Sequence, residues 1–146
     1  MTDFQITVDI AAPADRVWAV MADVERWPEW TPSVTRIQRL DPGPLGVGSR
    51  ARIRQPGLPP ATWKVSELVE GRSFTWVTRS PGVRVTAKHG LEPMAGGTRA
   101  TLSLRFSGLL GALVARVTRR INERYLALEA KGLSERSRGA TTQPAR

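Results

Sequence analysis

Cysteine is absent from the 146-residue sequence, and histidine occurs only once, as His89. Without cysteine the chain can form no disulfide bond, no iron–sulfur cluster and no thiolate zinc site, and it has no cysteine nucleophile. With a single histidine it also lacks the ligand set of a histidine-rich metal centre. We therefore expect neither a metal nor a cofactor.

Long hydrophobic runs are also missing. The longest apolar stretch, Gly108 to Ala115, is well short of the ~20 residues that span a bilayer, and Arg116 follows it. The first residues, MTDFQITVD, lack the basic and apolar regions of a secretory signal. The sequence therefore predicts no transmembrane segment and a cytoplasmic protein.

Acidic residues are few: there are 13 against 22 basic residues, which gives a formal net charge of +9. Only Lys64, Lys88 and Lys131 are lysines, so arginine carries most of the positive charge. Such a balance is typical of proteins that bind a polyanion. The arginines, however, are spread along the whole chain and alternate with apolar residues in several segments. This pattern favours a solvated outer face over a nucleic-acid site.

The composition and the order of elements fit one globular domain. With 40% hydrophobic and 24% charged residues, the chain resembles ordinary globular proteins. A strand at Phe4 to Ile10 is followed by a helix from Pro13 to about Asp23 and a short second helix or turn at Trp27 to Trp30. Six more strands are predicted, at Ser33–Leu40, Ser49–Gln55, Thr62–Val69, Ser73–Arg79, Val83–Glu92 and Arg99–Ser107. Their short connections indicate consecutive antiparallel hairpins.

The alternation within these strands predicts one apolar face and one arginine-rich face. In the strand Ser49–Gln55, the apolar residues Ala51 and Ile53 share one face. In the strand Val83–Glu92, the apolar face is formed by odd-numbered residues, and His89 lies on that face. After Gly108 the period becomes helical, which predicts one long amphipathic helix that reaches about Leu133 and lies across the sheet. We assign residues 1–134 to a single domain. Residues 135–146 contain no large apolar residue and are predicted to be a disordered tail.

Several short motifs resemble those of one known superfamily. They are Ile10 to Trp18 (IAAPADRVW), Asp23 to Trp30 with its WPEW ending, Pro44 to Ser49 (PLGVGS), Trp63-Lys64-Val65, and Gly97-Thr98-Arg99. On these residues the chain is similar to the START-like, or SRPBCC, superfamily, and within it to the polyketide cyclase/dehydrase-type branch. The resemblance covers about residues 3 to 133.

The resemblance implies an α+β helix-grip (Bet v 1/START-like) fold. Its curved seven-stranded antiparallel sheet wraps around a long C-terminal helix, with two short helices after the first strand. It also implies a cavity for a hydrophobic ligand between the sheet and that helix, and a flexible cover formed by the loop Gly43 to Gly48. Family members include aromatic polyketide cyclases and lipid carriers, so the fold alone does not choose a chemistry.

His89 is the main candidate for chemistry, because an inward-facing imidazole could act as a general acid or base. The alternative is a core histidine bonded to a backbone carbonyl. Trp63, Trp76 and Phe74 offer flat surfaces to an aromatic ligand, although aromatic residues in strands usually form core. Trp27 and Trp30 are expected mainly to pack.

Further ligand-binding candidates are polar or aliphatic. Gln55, Asn122 and Tyr125 could anchor a ligand by hydrogen bonds, although structural roles serve equally well. Glu67 would be an inward carboxylate unless its strand is bulged. The aliphatic candidates are Ile53, Val85, Leu102 and Leu104 on the strands and Val117 and Ile121 on the helix.

Three functions follow from these features. The first is binding of a hydrophobic or aromatic small molecule for carriage, sequestration or sensing, by a monomer or homodimer. The second is a cyclase or dehydratase-like enzyme that uses His89 as acid or base. The third is a basic nucleic-acid or anionic-surface binder that uses the arginine face and Arg116, Arg119, Arg120 and Arg124. It ranks last because the arginine face lacks aromatics for base stacking.

Overall fold

The computed structural model describes residues 3–139. In chain order its elements are β1 (Phe4–Ile10), α1 (Ala14–Ala22), a 3₁₀ helix (Val24–Glu29), β2 (Arg36–Arg39), β3 (Arg50–Arg54), β4 (Ala61–Val69), β5 (Ser73–Ser80), β6 (Val83–Met94), β7 (Gly97–Ser107), α2 (Gly111–Val117) and α3 (Arg119–Gly139). The two short helices after β1 and the strand-rich middle agree with the sequence prediction.

All seven strands belong to one antiparallel sheet in the order β1-β7-β6-β5-β4-β3-β2. Strands β2 to β7 pair with their chain neighbours as hairpins, and β1 pairs with β7. Helix α3 packs across β1 and β7 on the concave side of the sheet. The predicted α+β helix-grip fold is therefore confirmed.

The alternation of apolar and basic side chains sets the two faces of the sheet, as predicted. In β3, Ala51 and Ile53 are buried, whereas Arg50, Arg52 and Arg54 are exposed. The buried face carries the main core, which also takes in α1 and the 3₁₀ helix. Burial of this apolar surface is the main stabilising contribution to the fold.

The last helical region differs from the prediction of one continuous helix. A single non-helical residue, Thr118, separates α2 from α3. The Thr118 hydroxyl donates a hydrogen bond to the carbonyl oxygen of Val114 at 2.6 Å, a local contact that bends helices. The Asn122 amide in turn donates to the Thr118 hydroxyl oxygen at 2.8 Å.

The face that this region turns toward the sheet is also different from the predicted one. The buried residues of α3 are Asn122, Leu126, Ala130, Gly132, Leu133 and Ser137. This stripe lies about one residue later than the inward stripe predicted from Val117, Ile121 and Tyr125, which is a rotation of about 100°. The prediction followed hydrophobicity alone, whereas part of the inward face lines a cavity and includes polar residues.

The predicted tail begins too early, because α3 continues to Gly139. Ser137 is fully buried. Arg136 donates a hydrogen bond to Glu29 of the 3₁₀ helix at 2.7 Å, and Arg16 of α1 reaches the carbonyl oxygen of Ser137 at 3.5 Å. These contacts hold the end of α3 against the two short helices. Residues 140–146 of the predicted tail lie outside the described residues.

Gly132 sets the closest approach of α3 to the rest of the molecule. A Cβ atom at this position would lie 1.9 Å from the carbonyl oxygen of Trp30, so any larger residue would push the helix outward. The absence of a side chain therefore lets α3 lie directly on the segment that follows the 3₁₀ helix. This contact positions Glu129, one turn earlier on α3.

Candidate functional site

A cavity of about 500 Å³ lies between the concave face of the sheet and the helices α2 and α3. The buried part of its lining is apolar or aromatic, apart from His89 and Asn122. Exposed residues of the β3–β4 loop and of the β5–β6 turn line its outer end, among them Pro59 and Arg79. A site of this volume, mostly apolar with a few polar groups, suits a small organic molecule.

Most of the predicted ligand-binding residues meet at this cavity. They are Gln55, Ile53, Trp63, Trp76, Val85, His89, Leu102, Leu104 and Tyr125. The strands place them there because residues of equal parity share one face of the sheet. Asn122 and Trp27 also line the cavity, whereas Trp30 does not. Trp27 is buried, and its indole N–H donates to the Met21 carbonyl oxygen at 3.0 Å, so it both packs and lines the wall.

Three predicted residues lie outside the lining. Val117 is 75% exposed on the outer side of α2, and Ile121 lies beside Gly57 of the β3–β4 loop. Both lie outside the cavity lining because the inward stripe of the helices lies one residue later than hydrophobicity indicated. Phe74 is completely buried behind the cavity wall, where its ring stacks on His89.

Glu67 was predicted to face inward unless its strand is bulged, and the strand is bulged. The register between β4 and β5 shifts between Val65 and Glu67. The extra residue turns Glu67 to the exposed side. The predicted inward carboxylate at this position is therefore absent.

The loop Gly43 to Gly48, expected as a cover, does not line the cavity. Hydrogen bonds hold it beside β3 and β4 instead: the Gly48 amide donates to the Val65 carbonyl oxygen at 2.9 Å, and the Gly46 amide donates to the Ser49 hydroxyl oxygen at 3.0 Å. The β3–β4 loop is at the mouth. The Tyr125 hydroxyl of α3 donates a hydrogen bond to the Pro56 carbonyl oxygen, which fastens that loop to the helix.

His89 is held rigidly in an aromatic pocket. Its ring stacks on Phe74 at a centroid distance of 4.3 Å and an angle of 13°, and Trp27 and Trp76 pack around it. Its Nδ1 donates a hydrogen bond to the Phe74 carbonyl oxygen at 3.4 Å. Burial lowers the pKa of His89 to about 4, although that hydrogen bond opposes the shift. The imidazole is therefore neutral at pH 7, and Nε2 is an acceptor.

Glu129 is the polar residue of the cavity that the sequence analysis missed. It lies on α3, lines the cavity, and accepts a hydrogen bond from the Ser33 hydroxyl at 3.2 Å. Ser33 in turn shares a hydrogen bond of 2.8 Å with Thr31. Burial raises the pKa of Glu129 to about 7, and the Ser33 hydrogen bond opposes the shift. Near neutral pH this carboxyl is therefore poised between its donor and acceptor forms.

The periodicity of α3 contains the signal that would have found Glu129. Asn122, Leu126, Glu129 and Leu133 follow one another at spacings of three and four, which places the carboxyl on the stripe of two buried leucines. Because a glutamate on a helix is usually solvated, Glu129 was not considered as a residue of the cavity wall.

The described residues 3–139 contain no group of three or more histidine, aspartate and glutamate side chains placed to hold a metal ion. Within the same range, no helix has the length and apolar character needed to cross a membrane.

A helix-grip fold with a mostly apolar internal cavity defines the class of protein. The family model described as "Polyketide cyclase / dehydrase and lipid transport" matches residues 1–138. The chain therefore belongs to this family, within the SRPBCC superfamily that its motifs resemble.

Solved structures share the fold at low sequence identity. The Zhui aromatase/cyclase from a Streptomyces species superposes with a TM-score of 0.70 at 20% identity, covering 96% of this chain and 98% of that one. A Thermus thermophilus protein gives 0.75 at 19% identity, covering 94% and 98%. A hypothetical protein from Helicobacter pylori gives 0.77 at 15% identity, covering 94% and 89%.

Curated relatives match over a shorter segment. Uncharacterized proteins from Mycobacterium tuberculosis and Mycobacterium bovis are 32% identical over 54 residues, which is 37% of this chain. The matched segment spans about a third, 32%, of the length of these relatives.

Proposed function

We propose that this protein binds a hydrophobic or aromatic small molecule in the cavity between the sheet and α3, to carry, sequester or sense it. The observation that carries the proposal is the cavity of about 500 Å³, whose buried lining is apolar apart from His89 and Asn122. Apolar surface supplies affinity, and a few fixed polar groups orient the ligand.

The polar groups define what the ligand should present to the wall. Neutral His89 offers an acceptor at Nε2, so it suits a phenol or another hydroxyl donor on the ligand. Glu129 donates when protonated and accepts when ionised, so it suits a carbonyl or hydroxyl group. We therefore expect a mostly apolar ring system with at least one hydroxyl or carbonyl group.

Native mass spectrometry of the purified protein, followed by organic extraction, tests this proposal. A defined aromatic or lipid-like molecule at one per chain would support it and name the ligand class. The matched variants are Val85→Trp, which adds an indole to the cavity wall, and Thr86→Trp, which adds one beside it on the opposite face of β6. We expect only Val85→Trp to lose the bound molecule.

A second candidate is a cyclase or dehydratase-like enzyme, because His89 and Glu129 line one cavity with pKa values shifted in opposite directions. In a dehydration, His89 would take a proton from the carbon beside a carbonyl, and Glu129 would protonate the departing hydroxyl, so that water leaves as the double bond forms.

The lowered pKa of His89 weakens this second candidate. A base whose conjugate acid has a pKa of about 4 takes protons poorly at neutral pH, whereas Glu129, at about 7, lies near the value that favours acid–base catalysis. For the enzyme, Glu129→Gln should lower turnover of a β-hydroxy ketone by roughly 10² or more while ligand binding persists. Equal turnover would leave only the binding function.

A further inference from the structure

The outer side of α2 and the two residues before it carry apolar side chains that the protein itself leaves uncovered. Leu109 is 98% exposed and Leu113 is 58% exposed, and Leu110 and Val117 lie beside them on the surface. On the inner side of the same helix, Val114 lines the cavity. This leucine face, defined by Leu109, Leu110, Leu113 and Val117, therefore borders the cavity mouth.

Few acidic residues lie around the leucine face: they are Asp3, whose carboxylate accepts a hydrogen bond from the Phe106 amide at 2.6 Å, and Glu123. Stretches 42–66, 71–91 and 93–122, which include the β3–β4 loop, the β5–β6 turn and α2, have neither aspartate nor glutamate. On α2 and at the start of α3, Arg116, Arg119 and Arg120 are all exposed. Of these, only Arg119 forms an ion pair among residues 3–139, with Glu123 at 3.4 Å.

The β5–β6 turn and α2 form one continuous surface. The Leu110 amide donates to the Gly82 carbonyl oxygen at 2.8 Å, and Leu110 packs against Gly82.

We propose that the leucine face and its arginines dock this protein on an anionic lipid surface. Leucines flanked by unpaired arginines are typical of helices that lie in the plane of a bilayer, with the apolar side in the acyl boundary and the cations at anionic headgroups. The cavity mouth then opens toward the membrane. The inference goes beyond ligand binding and does not depend on what the cavity holds.

Two other occupants fit less well. A second copy packed symmetrically on this face would bring Arg116 and Arg120 of both chains together, in a protein whose net charge is +9. Residues 140–146 have the sequence ATTQPAR, which offers no large apolar side chain to cover the leucines.

Flotation of the full chain with phosphatidylcholine vesicles, with and without phosphatidylglycerol, tests the inference. We expect binding only when the anionic lipid is present, and weaker binding as added salt screens the arginines. Leu109→Ser with Leu113→Ser should weaken binding at least about 10-fold, because two exposed leucines lose their contact with the acyl chains. Arg116→Ser with Arg120→Ser should weaken it by about the same factor.

Matched controls lie away from the leucine face, at the β4–β5 turn, at the end of β6 and in the later half of α3. Val69→Ser with Met94→Ser removes two exposed apolar side chains, and Arg72→Ser with Lys131→Ser removes two exposed charges. Both pairs should float like the unmodified chain. Circular dichroism verifies that each variant folds, and Leu109→Ser alone provides a milder second variant.

Three results would overturn the inference. The first is no flotation with either vesicle. The second is equal flotation of the leucine variant, which would indicate electrostatic adsorption alone. The third is a dimer of the unmodified chain, seen by sedimentation, that is absent in the leucine variant. This result would assign the leucine face to a second copy of the chain. A failure of ligand binding can be distinguished from a failure of membrane docking, because a neutral probe that binds in the cavity measures ligand binding without vesicles.

Discussion

The hydroxyl of Ser33 donates a hydrogen bond to the carboxyl of Glu129 across 3.2 Å, and the two residues are 96 positions apart in the chain. This bond joins the segment before β2 to the last helix at the wall of the cavity. Together with the Phe74–His89 stack on the sheet side, it gives an apolar cavity two polar groups whose pKa values have moved in opposite directions.

Glu129 should make the folded state less stable as pH rises. Its pKa is about 7 in the folded protein and 4.5 ordinarily, so between these values the folded state holds a proton that the unfolded state has lost. The free energy of unfolding therefore falls with pH in this window, by at most about 1.4 kcal/mol per unit. Glu129→Gln should remove this slope, as measured by urea unfolding from pH 4 to 8.

His89 should produce the opposite slope. Its pKa is about 4 in the folded protein and 6.5 ordinarily, so between these values the unfolded state holds the extra proton and stability rises with pH. In the overlapping window, from 4.5 to 6.5, the two slopes oppose each other. We expect Glu129→Gln to reveal the rising slope and His89→Gln to reveal the falling one.

The charge state of His89 can be observed directly, because it is the only histidine. Its ring proton signals in NMR should stay constant from pH 8 down to about pH 5 and change only near pH 4. A midpoint near 6.5 would contradict the buried, stacked imidazole and would restore His89 as a base suited to neutral pH.

Gly132 should tolerate no side chain. Gly132→Ala would place a Cβ 1.9 Å from the Trp30 carbonyl oxygen, so we expect a loss of about 1–3 kcal/mol in the free energy of unfolding. Gly46→Ala is the control, since no atom lies within 4 Å of the added Cβ. Equal stability of the two variants would show that α3 does not pack closely on Trp30.

Tyr125 should control the cavity mouth. Tyr125→Phe removes the hydrogen bond to Pro56 that fastens the β3–β4 loop to α3, while it keeps the aromatic ring. We expect faster amide hydrogen exchange in residues 55–61 and faster ligand release. Unchanged exchange in this loop would indicate that other contacts hold it.

The sequence allowed accurate prediction wherever a pattern had one physical cause. Strict alternation in β6 placed His89 on the inward face because that face is buried and the other is solvated. Alternation along the strand predicted the wrong face for Glu67, because a bulge inserts one extra residue into β4 and the sequence alone does not locate that bulge. The prediction of the inward helix face failed for Val117 and Ile121. Hydrophobicity did not identify this face, because a cavity wall can carry polar residues and apolar residues can lie on the exposed side of a helix.

The central claim, an apolar ligand site between sheet and helix, is tested most directly by titration with N-phenyl-1-naphthylamine, a neutral probe that the surface arginines do not attract. The account predicts one site per chain, lost in Val85→Trp and retained in Thr86→Trp. Absence of binding, or equal binding by both variants, would contradict it.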